Sequence, residues 1–475
     1  MGKMKSLHRV PVAVLTAFAM SGCAGDIPYR SKAFDPLPDA NCEQLYDQYV
    51  DDRELDASDA ASPCWQRTIE ERKADYDLMF IEFDDQGWVE KSSDLARPNK
   101  DFLDSFFHQL ELLRNEYAAR GLQLVVFVHG WHHNAQANDP NVRAFRKLLS
   151  DFATIEGGKD KGEAGRRVIG IYVGWRGESV TIPIVNELTF WDRKNTADHV
   201  AQGSTRELFA KLDAFRDRAN QEYTASGQSA NVRMLTIAHS FGGLIAFKAL
   251  SNEFLQAAVR HEKGDFSRQG DLVVIVNPAF EGSRYEPLKI AGQRLDKLNP
   301  KQLPVLIIAT SEADWATGIA FPAARTVNAI FESSPGYEGK ANTRTVGHND
   351  RYTTHKLSTC DASDKECQKP CEGAGLPVEK INEARRAHFD KESKHMSKYA
   401  DEGFKTRPEY LCNGLKLAPT VQWYPPSNPF WVVETTKAIM KSHDDIFNPN
   451  MEAFVRQMYE AILRSAGKSA RSRGQ

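Results

Sequence analysis

Two hydrophobic periods alternate along this chain. Short apolar runs rich in β-branched residues, such as "LQLVVFVHG" from Leu122 to Gly130, are typical of strands buried on both faces. Stretches with apolar residues three or four positions apart predict amphipathic helices. The predicted strands are two within Asp77–Glu90, then Leu122–Gly130, Val168–Trp175, Met234–Ala238, Leu272–Val276, Val305–Ala309 and Phe430–Glu434. The predicted helices are Asp101–Arg120, Val142–Ala153, Thr205–Tyr223, Phe241–Phe254 and Met451–Ser465.

This alternation implies an α/β fold, a mostly parallel sheet with helices on both faces, over residues 76–465. Two stretches, 176–202 and 357–425, interrupt it and are expected to be lid-like or inserted segments. Residues 23–75 are polar and predict a loop-like extension, within which the stretch "DDRELDASDAAS" is expected to be solvated or mobile. The basic end, 466–475, predicts a disordered tail.

The beginning of the chain has the pattern of an export signal. Basic residues precede an apolar run, Val10–Met20, which is too short to span a bilayer core of about 30 Å as a helix. It ends in Met-Ser-Gly-Cys and resembles a bacterial lipoprotein signal, with Met where Leu is usual. The resemblance implies that residues 1–22 are removed and that Cys23 is lipidated. Ala24 would favour the outer membrane, and an ordinary secretory signal remains the alternative.

Charge and cysteine content agree with an exported globular protein. The 61 basic and 64 acidic residues nearly balance, at a net charge of −3, so no basic face for a nucleic-acid partner is indicated. After Cys23, an even number of cysteines remains, which suggests disulfides. They are Cys42, Cys64, Cys360, Cys367, Cys371 and Cys412. Proximity favours Cys42–Cys64 and two bridges within the later four, while a zinc site lacks its usual paired spacing.

The stretch "LTIAHSFGGLIAF" from Leu235 to Phe247 changes from strand to helix at Ser240. A sharp turn there would lift the serine hydroxyl above the sheet, at the positive end of a helix. The stretch resembles the nucleophile elbow Gly-x-Ser-x-Gly of the α/β-hydrolase family, with Ala238 in place of the first glycine. Ser240 is therefore the candidate nucleophile. A helix-capping serine beside packing glycines is the alternative reading.

The resemblance also implies an oxyanion hole. In the family, a His-Gly pair after the third sheet strand opens the oxyanion loop, and here the pair is His129-Gly130 in "VFVHGWHHNA". By resemblance, the N–H groups of Trp131 and Phe241 would hold the oxyanion, and His129 would have a structural role.

His132 and His133 in the same stretch could suggest a metal site. Because they are adjacent in the chain, their side chains point apart, and no cluster of carboxylates accompanies them. No metal and no cofactor are therefore expected.

The catalytic acid is expected in the loop after a later strand. Asp314 follows the apolar run of "PVLIIATSEADWAT" at the place where the family usually has its acid. Glu312, two residues earlier, and Glu281, after the preceding strand, stay open as alternatives.

The catalytic base is expected between the last strand and the closing helix. His443 lies there, in "FWVVETTKAIMKSHDDIFNP", and the order Ser240, Asp314, His443 is that of the family. His348 and His355 also follow the acid and stay open as alternatives.

These residues together predict a serine hydrolase that cleaves carboxylic esters, an esterase or lipase. Its expected partners are a small-molecule or lipid ester and, through the lipid on Cys23, the membrane of the bacterial envelope. Two other functions stay open: a non-catalytic binding or assembly lipoprotein on the same fold, and an acyltransferase. The sequence leaves the oligomeric state undetermined.

Overall fold

A computed structural model describes twelve ranges of the chain: 29–30, 70–89, 102–157, 165–177, 186–225, 232–264, 266, 270–295, 297–328, 336–360, 381–420 and 427–473. The predicted signal 1–22, Cys23, Cys42, Cys64, Cys367 and Cys371 lie outside these ranges. Within them, no helix is both long enough and apolar enough to cross a membrane.

The described strands form one eleven-stranded sheet. They are β1 (Glu70–Arg72), β2 (Tyr76–Phe83), β3 (Leu122–Val128), β4 (Arg167–Trp175), β5 (Val232–His239), β6 (Leu272–Val276), β7 (Leu306–Ser311), β8 (His355–Thr359), β9 (Glu409–Leu411), β10 (Leu415–Pro419) and β11 (Phe430–Thr435). Their order is β1-β2-β4-β3-β5-β6-β7-β11-β8-β10-β9. Neighbours from β2 to β8 are parallel, whereas β1, β10 and β9 join antiparallel. The predicted α/β class with a mostly parallel sheet is confirmed.

Helices cover both faces of this sheet. They are α1 (Phe102–Glu116), α2 (Pro140–Gly157), α3 (Asn186–Gln202), α4 (Ser204–Ala225), α5 (Ser240–Arg260), α6 (Glu286–Arg294), α7 (Phe321–Asn328), α8 (Gly336–Thr343), α9 (Ile381–Glu402) and α10 (Pro449–Arg473). Val126 of β3 packs in one core with Leu110 of α1 and Leu244 of α5. Its neighbour Phe127 packs in the other core with Phe454 of α10. Each large side chain so buried contributes about 1.5–3 kcal/mol.

The strand register brings four strand ends to one edge. His239 of β5 pairs with Val276 of β6, Val276 with Ala309 of β7, and Ala309 with Val433 of β11. In a parallel sheet the segments that follow such aligned carboxyl ends are neighbours in space, although they lie far apart in the chain. This edge is therefore where loops from the predicted nucleophile, acid and base segments meet.

Both predicted insertions contain regular structure. Residues 176–202 include α3, whose Ala197 and Val200 are buried in the core, so this part is a packed helix rather than an open loop. Residues 357–425 include α9, β9 and β10 and extend the sheet beyond β8. Cys360 and Cys412, the cysteines of this insertion that lie among the described residues, are both disulfide-bonded.

The described parts of the extension and of the basic tail also contain buried or regular structure. Arg30, in the extension predicted to be loop-like, is buried: its guanidinium stacks 3.6 Å from the centre of the Phe80 ring and pairs with Glu71 at 3.0 Å. This pairing satisfies a buried charge that would otherwise be costly. The extension ends in β1. At the other end, α10 continues past the predicted Ser465 to Arg473, so the basic tail begins as helix.

Candidate active site

Ser240 occupies a turn with no connecting loop. It directly follows the last residue of β5 and is the first residue of α5, with a φ of 54°. This left-handed value is uncommon for a residue other than glycine, and such backbone outliers cluster at functional sites. Its side chain thereby stands at the carboxyl edge of the sheet, next to the positive end of α5.

Two glycines let backbone segments approach this turn. A Cβ on Gly242 would overlap the carbonyl oxygens of Val128 and His129, so the first turn of α5 lies against the end of β3. A Cβ on Gly130 would lie 2.9 Å from the Cβ of Ser240. Glycine is required at both positions because neither approach leaves room for a side chain.

We expect Gly242→Ala to destabilise the protein by about 3 kcal/mol or more, because the obstacles are backbone atoms that cannot rotate away. Urea unfolding at neutral pH would measure this loss. Gly157→Ala is the matched control: Gly157 ends α2, and among the described residues no atom beyond its chain neighbours and the backbone of its own helix lies within 4 Å of its added Cβ. That variant should stay within about 1 kcal/mol of wild type. Equal stability of the two variants would contradict the tight approach at Gly242.

The imidazole of His443 links Ser240 to Asp314. Its Nε2 lies 2.8 Å from the Ser240 Oγ, and its Nδ1 lies 2.8 Å from the Asp314 Oδ2. Ser240 and Asp314 are buried, whereas the side chain of His443 is 18% exposed. An ionised carboxylate only accepts hydrogen bonds, so Nδ1 carries the proton and Nε2 is free to accept from the serine hydroxyl. The arrangement has the geometry of a nucleophile, a base and an orienting acid.

Asp314 stays ionised despite its burial. Burial alone raises the pKa of this carboxyl, but hydrogen bonds from His443 and Thr317 and the charge of His443 lower it below its usual value. Thr317 lies in the π-helical turn Ala316–Ala320 and donates its backbone N–H to the Asp314 Oδ1 at 3.1 Å. Its hydroxyl contacts the Oδ2. Thr317 was not predicted from the sequence, although a threonine three residues after an expected acid is a typical local hydrogen-bond partner.

The backbone of the base loop is fixed by side chains from the neighbouring strand ends. The His443 carbonyl accepts from the His239 Nε2 at 3.0 Å and from the Asn277 Nδ2 at 2.8 Å. Asn277, with a φ of 46°, also accepts from the backbone N–H of Ser311 at 2.9 Å. Ser311 donates its hydroxyl to the Met440 carbonyl at 2.7 Å. Asn277 was missed in the sequence, but a polar residue directly after a buried strand at this edge is a usable signal.

His239 is a buried neighbour of the base rather than a second base. Burial holds its pKa well below the usual value, with a further contribution from His443, so the ring is neutral. The two rings lie 4.8 Å apart between centres. Because Nε2 donates to the His443 carbonyl, the buried Nδ1 is an acceptor, and it has no hydrogen-bond partner among the described residues.

Of the predicted oxyanion residues, Phe241 directly follows Ser240 in the elbow, and the centre of the Trp131 ring lies 6.2 Å from the centre of the Phe241 ring. His129 holds the loop that carries Trp131: its Nε2 accepts from the Trp175 N–H at 3.0 Å, and its Nδ1 lies 2.8 Å from the Gly130 carbonyl. Because Nε2 accepts, Nδ1 carries the proton and donates. His129 therefore has the structural role implied by the resemblance.

The alternative acids have other partners. Glu281 is buried and pairs with Lys194 at 3.1 Å, with Arg284 at 2.8 Å and with Arg325 at 3.2 Å. This cluster ties α3 and α7 to the loop after β6. Glu312 accepts from the backbone N–H of the residue two positions after β11, at 2.9 Å.

The alternative bases also have other partners. The His348 Nε2 lies 3.1 Å from the Thr317 Oγ1. The His355 ring packs 4.1 Å from the Trp431 ring, and its Nδ1 contacts the Thr354 hydroxyl at 2.9 Å. Among the described histidines, His443 is the one hydrogen-bonded to the proposed nucleophile.

Buried histidines make stability depend on pH. Burial lowers the pKa of His129 to about 4 and that of His355 to about 3, from about 6.5 in the unfolded chain. The unfolded state therefore binds more protons below about pH 6.5, and stability is lost as pH falls through that value toward the folded pKa values. Each such histidine should cost about 1.4 kcal/mol per pH unit in this window.

Urea unfolding at about pH 7 and about pH 5 would measure this loss. His355→Asn keeps the atom that faces Thr354 but does not titrate, so we expect a smaller difference between the two pH values. His108→Asn, at an exposed position of α1, is the control and should keep the wild-type difference. A wild-type protein equally stable at both pH values would contradict neutral burial of these rings.

One group of described residues has the composition of a metal site. Ligand atoms of His239, His443 and Asp444 lie within 4.8 Å of one another. Both ring nitrogens of His443 already contact Ser240 and Asp314. A cation bound there would compete with these contacts for the same ring atoms.

No family model matches this chain, and no curated protein matches it. Among solved structures, it is similar to phospholipase PlaB from Legionella pneumophila in complex with thio-NAD, at 16% identity and a TM-score of 0.23, over 50% of this chain and 47% of that chain. Phospholipase PlaB from the same organism also matches at 15% identity and a TM-score of 0.23, over 54% and 49%. The chain thus spans about half the length of these structures. A likeness this distant sets neither fold nor function.

Proposed function

We propose that this chain is a serine hydrolase that cleaves carboxylic esters through an acyl-enzyme, as an esterase or lipase does. The observation that carries the proposal is the double contact of His443. Its two ring nitrogens each lie 2.8 Å from a partner, one the Ser240 Oγ and the other the Asp314 Oδ2. Three residues from separate segments of the chain are thus within hydrogen-bond reach, as proton transfer between serine and histidine requires.

In the proposed first half-reaction, the Ser240 Oγ attacks the ester carbonyl carbon while its proton moves to the His443 Nε2. The carbonyl oxygen becomes an oxyanion, which the N–H groups of Trp131 and Phe241 would hold; one such donor contributes about 3–4 kcal/mol. The Asp314 carboxylate stabilises the imidazolium that forms. His443 then gives its proton to the leaving alkoxide, and the C–O bond to the alcohol breaks.

In the second half-reaction, a water molecule replaces the alcohol. His443 takes a proton from this water as its oxygen bonds to the acyl carbon. Collapse of the second oxyanion returns the proton to the Ser240 Oγ and releases the acid. An added alcohol could replace the water in this step, which is the difference between a hydrolase and an acyltransferase.

A series of 4-nitrophenyl esters of increasing acyl length tests the proposal and identifies the preferred acyl group. We expect nitrophenol release with burst kinetics, because the good leaving group should make acylation faster than deacylation, so that acyl-enzyme accumulates. Free acid as the main product in the presence of added alcohol would support a hydrolase, and transfer to the alcohol an acyltransferase. A folded protein that releases no nitrophenol and does not react with a fluorophosphonate would favour a binding or assembly role.

We further propose that the protein works at the bacterial envelope, anchored through lipid on Cys23 and most simply at the outer membrane. This rests on the signal-like sequence before that cysteine. A disulfide-stabilised insertion within 357–425 fits an oxidising compartment, and both of its described cysteines are disulfide-bonded.

A further inference from the structure

Thr317 lies between the proposed acid and a second histidine. Its hydroxyl contacts the Asp314 Oδ2, the same oxygen that faces His443, and its backbone N–H binds the Oδ1 at 3.1 Å. On the other side of this hydroxyl is the His348 Nε2, at 3.1 Å. One threonine thus contacts both carboxylate oxygens and the ring of His348.

The directions of these hydrogen bonds follow from the groups involved. The Asp314 carboxylate only accepts, so the Thr317 hydroxyl donates its one proton to it. The Thr317 oxygen can then only accept from His348, which must present an Nε2–H. Burial lowers the pKa of His348, which fits a neutral ring. The donors run in one direction, from His348 to Thr317 to Asp314.

The segment that carries His348 also holds the backbone of Thr317. The Thr345 hydroxyl donates to the Thr317 carbonyl at 3.2 Å. A Cβ on Gly318 would lie 3.0 Å from the His348 ring, so the ring packs directly on the turn after Thr317. The hydroxyl and the backbone carbonyl of Thr317 are therefore both held by the segment before β8, which carries Thr345 and His348.

We infer that Thr317 and His348 are positioning residues for Asp314. They orient the carboxylate so that its Oδ2 meets the His443 Nδ1, and they supply donors that keep it ionised. The inference rests on the proposed function, since it assigns a role within the same site. Charged and titratable groups that act on His348 are Asp314, His443, Glu434 and Arg344.

Thr317→Val keeps the side-chain shape but removes the hydroxyl. We expect kcat for 4-nitrophenyl esters to fall about 10- to 100-fold with KM nearly unchanged, because a hydrogen bond to a charged group is lost. Thr317→Ser restores the donor and should stay within about threefold of wild type. The acid limb of the pH profile of kcat/KM should move to higher pH in the valine variant alone, since a carboxylate with fewer donors attracts the imidazole proton more strongly.

His348→Gln and His348→Leu test the second residue. Glutamine can place a donor near the position of the Nε2, so it should approach wild-type kcat, while leucine should lower kcat. Melting temperatures close to wild type for Thr317→Ser and His348→Gln would show that the fold is kept.

Reaction of Ser240 with a fluorophosphonate separates this inference from the proposed function. The proposed function and the positioning role are both supported if wild type reacts, Thr317→Val reacts more slowly and Thr317→Ser reacts as fast as wild type. If wild type and Thr317→Val react equally fast and share one pH profile, the positioning role is overturned while the proposed function stands. An equal loss of kcat in Thr317→Ser and Thr317→Val would also overturn the positioning role. Wild type that fails to react would overturn both.

Discussion

Ser240→Ala is expected to lower kcat for ester hydrolysis roughly a million-fold, to a residual rate from binding and oxyanion stabilisation. The change removes the Oγ that lies 2.8 Å from the His443 Nε2, and no other atom of the side chain can form the acyl bond. The fold should persist, because alanine at a φ of 54° is no more strained than serine. Initial rates on the preferred 4-nitrophenyl ester and fluorophosphonate labelling would measure the loss.

Ser251→Ala is the control for this variant. Ser251 lies on the same helix, α5, and has no place in the proposed site. We expect wild-type rates and labelling from it. Substantial hydrolysis by a purified Ser240→Ala protein would mean that another group forms the covalent intermediate or that the reaction needs none.

The strands of the central sheet were predictable because burial on both faces leaves a strong pattern. The run at Leu272–Val276 coincides with β6 in the structure, and the run before His129-Gly130 is β3. Such runs have few alternatives in a compact α/β domain. Five of the helices that cover them, α1, α2, α4, α5 and α10, were predicted by the same reasoning, with ends that shift by several residues, whereas α3 and α6 to α9 were not predicted as helices.

The extension of the sheet beyond β11 was not predictable in this way. The strand β8, His355–Thr359, alternates between buried and more exposed positions and has only five residues. The strands β9 and β10, of three and five residues, are also short and form an antiparallel edge. Short edge strands resemble polar loops in sequence, so the pairing that defines them is visible only in three dimensions.

The site likewise has residues that the sequence predicted and residues that it did not. Ser240, Asp314 and His443 each follow a predicted strand, and the shared edge of the sheet explains why the structure brings them together. The contacts of Thr317 and Asn277 depend on the conformation of turns, including a π-helical turn and a positive φ. Turn conformations of this kind have weak sequence signals, so only the general position of these residues could be anticipated.

Asp314→Asn is expected to lower kcat about 10⁴-fold while leaving the fold intact. An asparagine amide can donate to the His443 Nδ1, which would place the imidazole proton on Nε2. That nitrogen could then no longer accept the proton of the Ser240 hydroxyl. Steady-state kinetics on the preferred ester would measure the loss, and urea unfolding would check the fold.

Glu312→Gln provides the matched control, since it changes an acid to its amide two residues away in the same loop. Glu312 is exposed and binds a backbone N–H at the start of the base loop, not the imidazole. We expect its kcat to stay within a few-fold of wild type, because surface contacts of this kind contribute at most about 1 kcal/mol. If Glu312→Gln proved the more damaging change, the acid would have to be reassigned, because His443 would then have to bind Glu312 in the working enzyme. We expect Asp314→Asn to cause the larger loss of kcat. The Asp314 carboxylate is buried and accepts three hydrogen bonds, and these donors favour its ionised form.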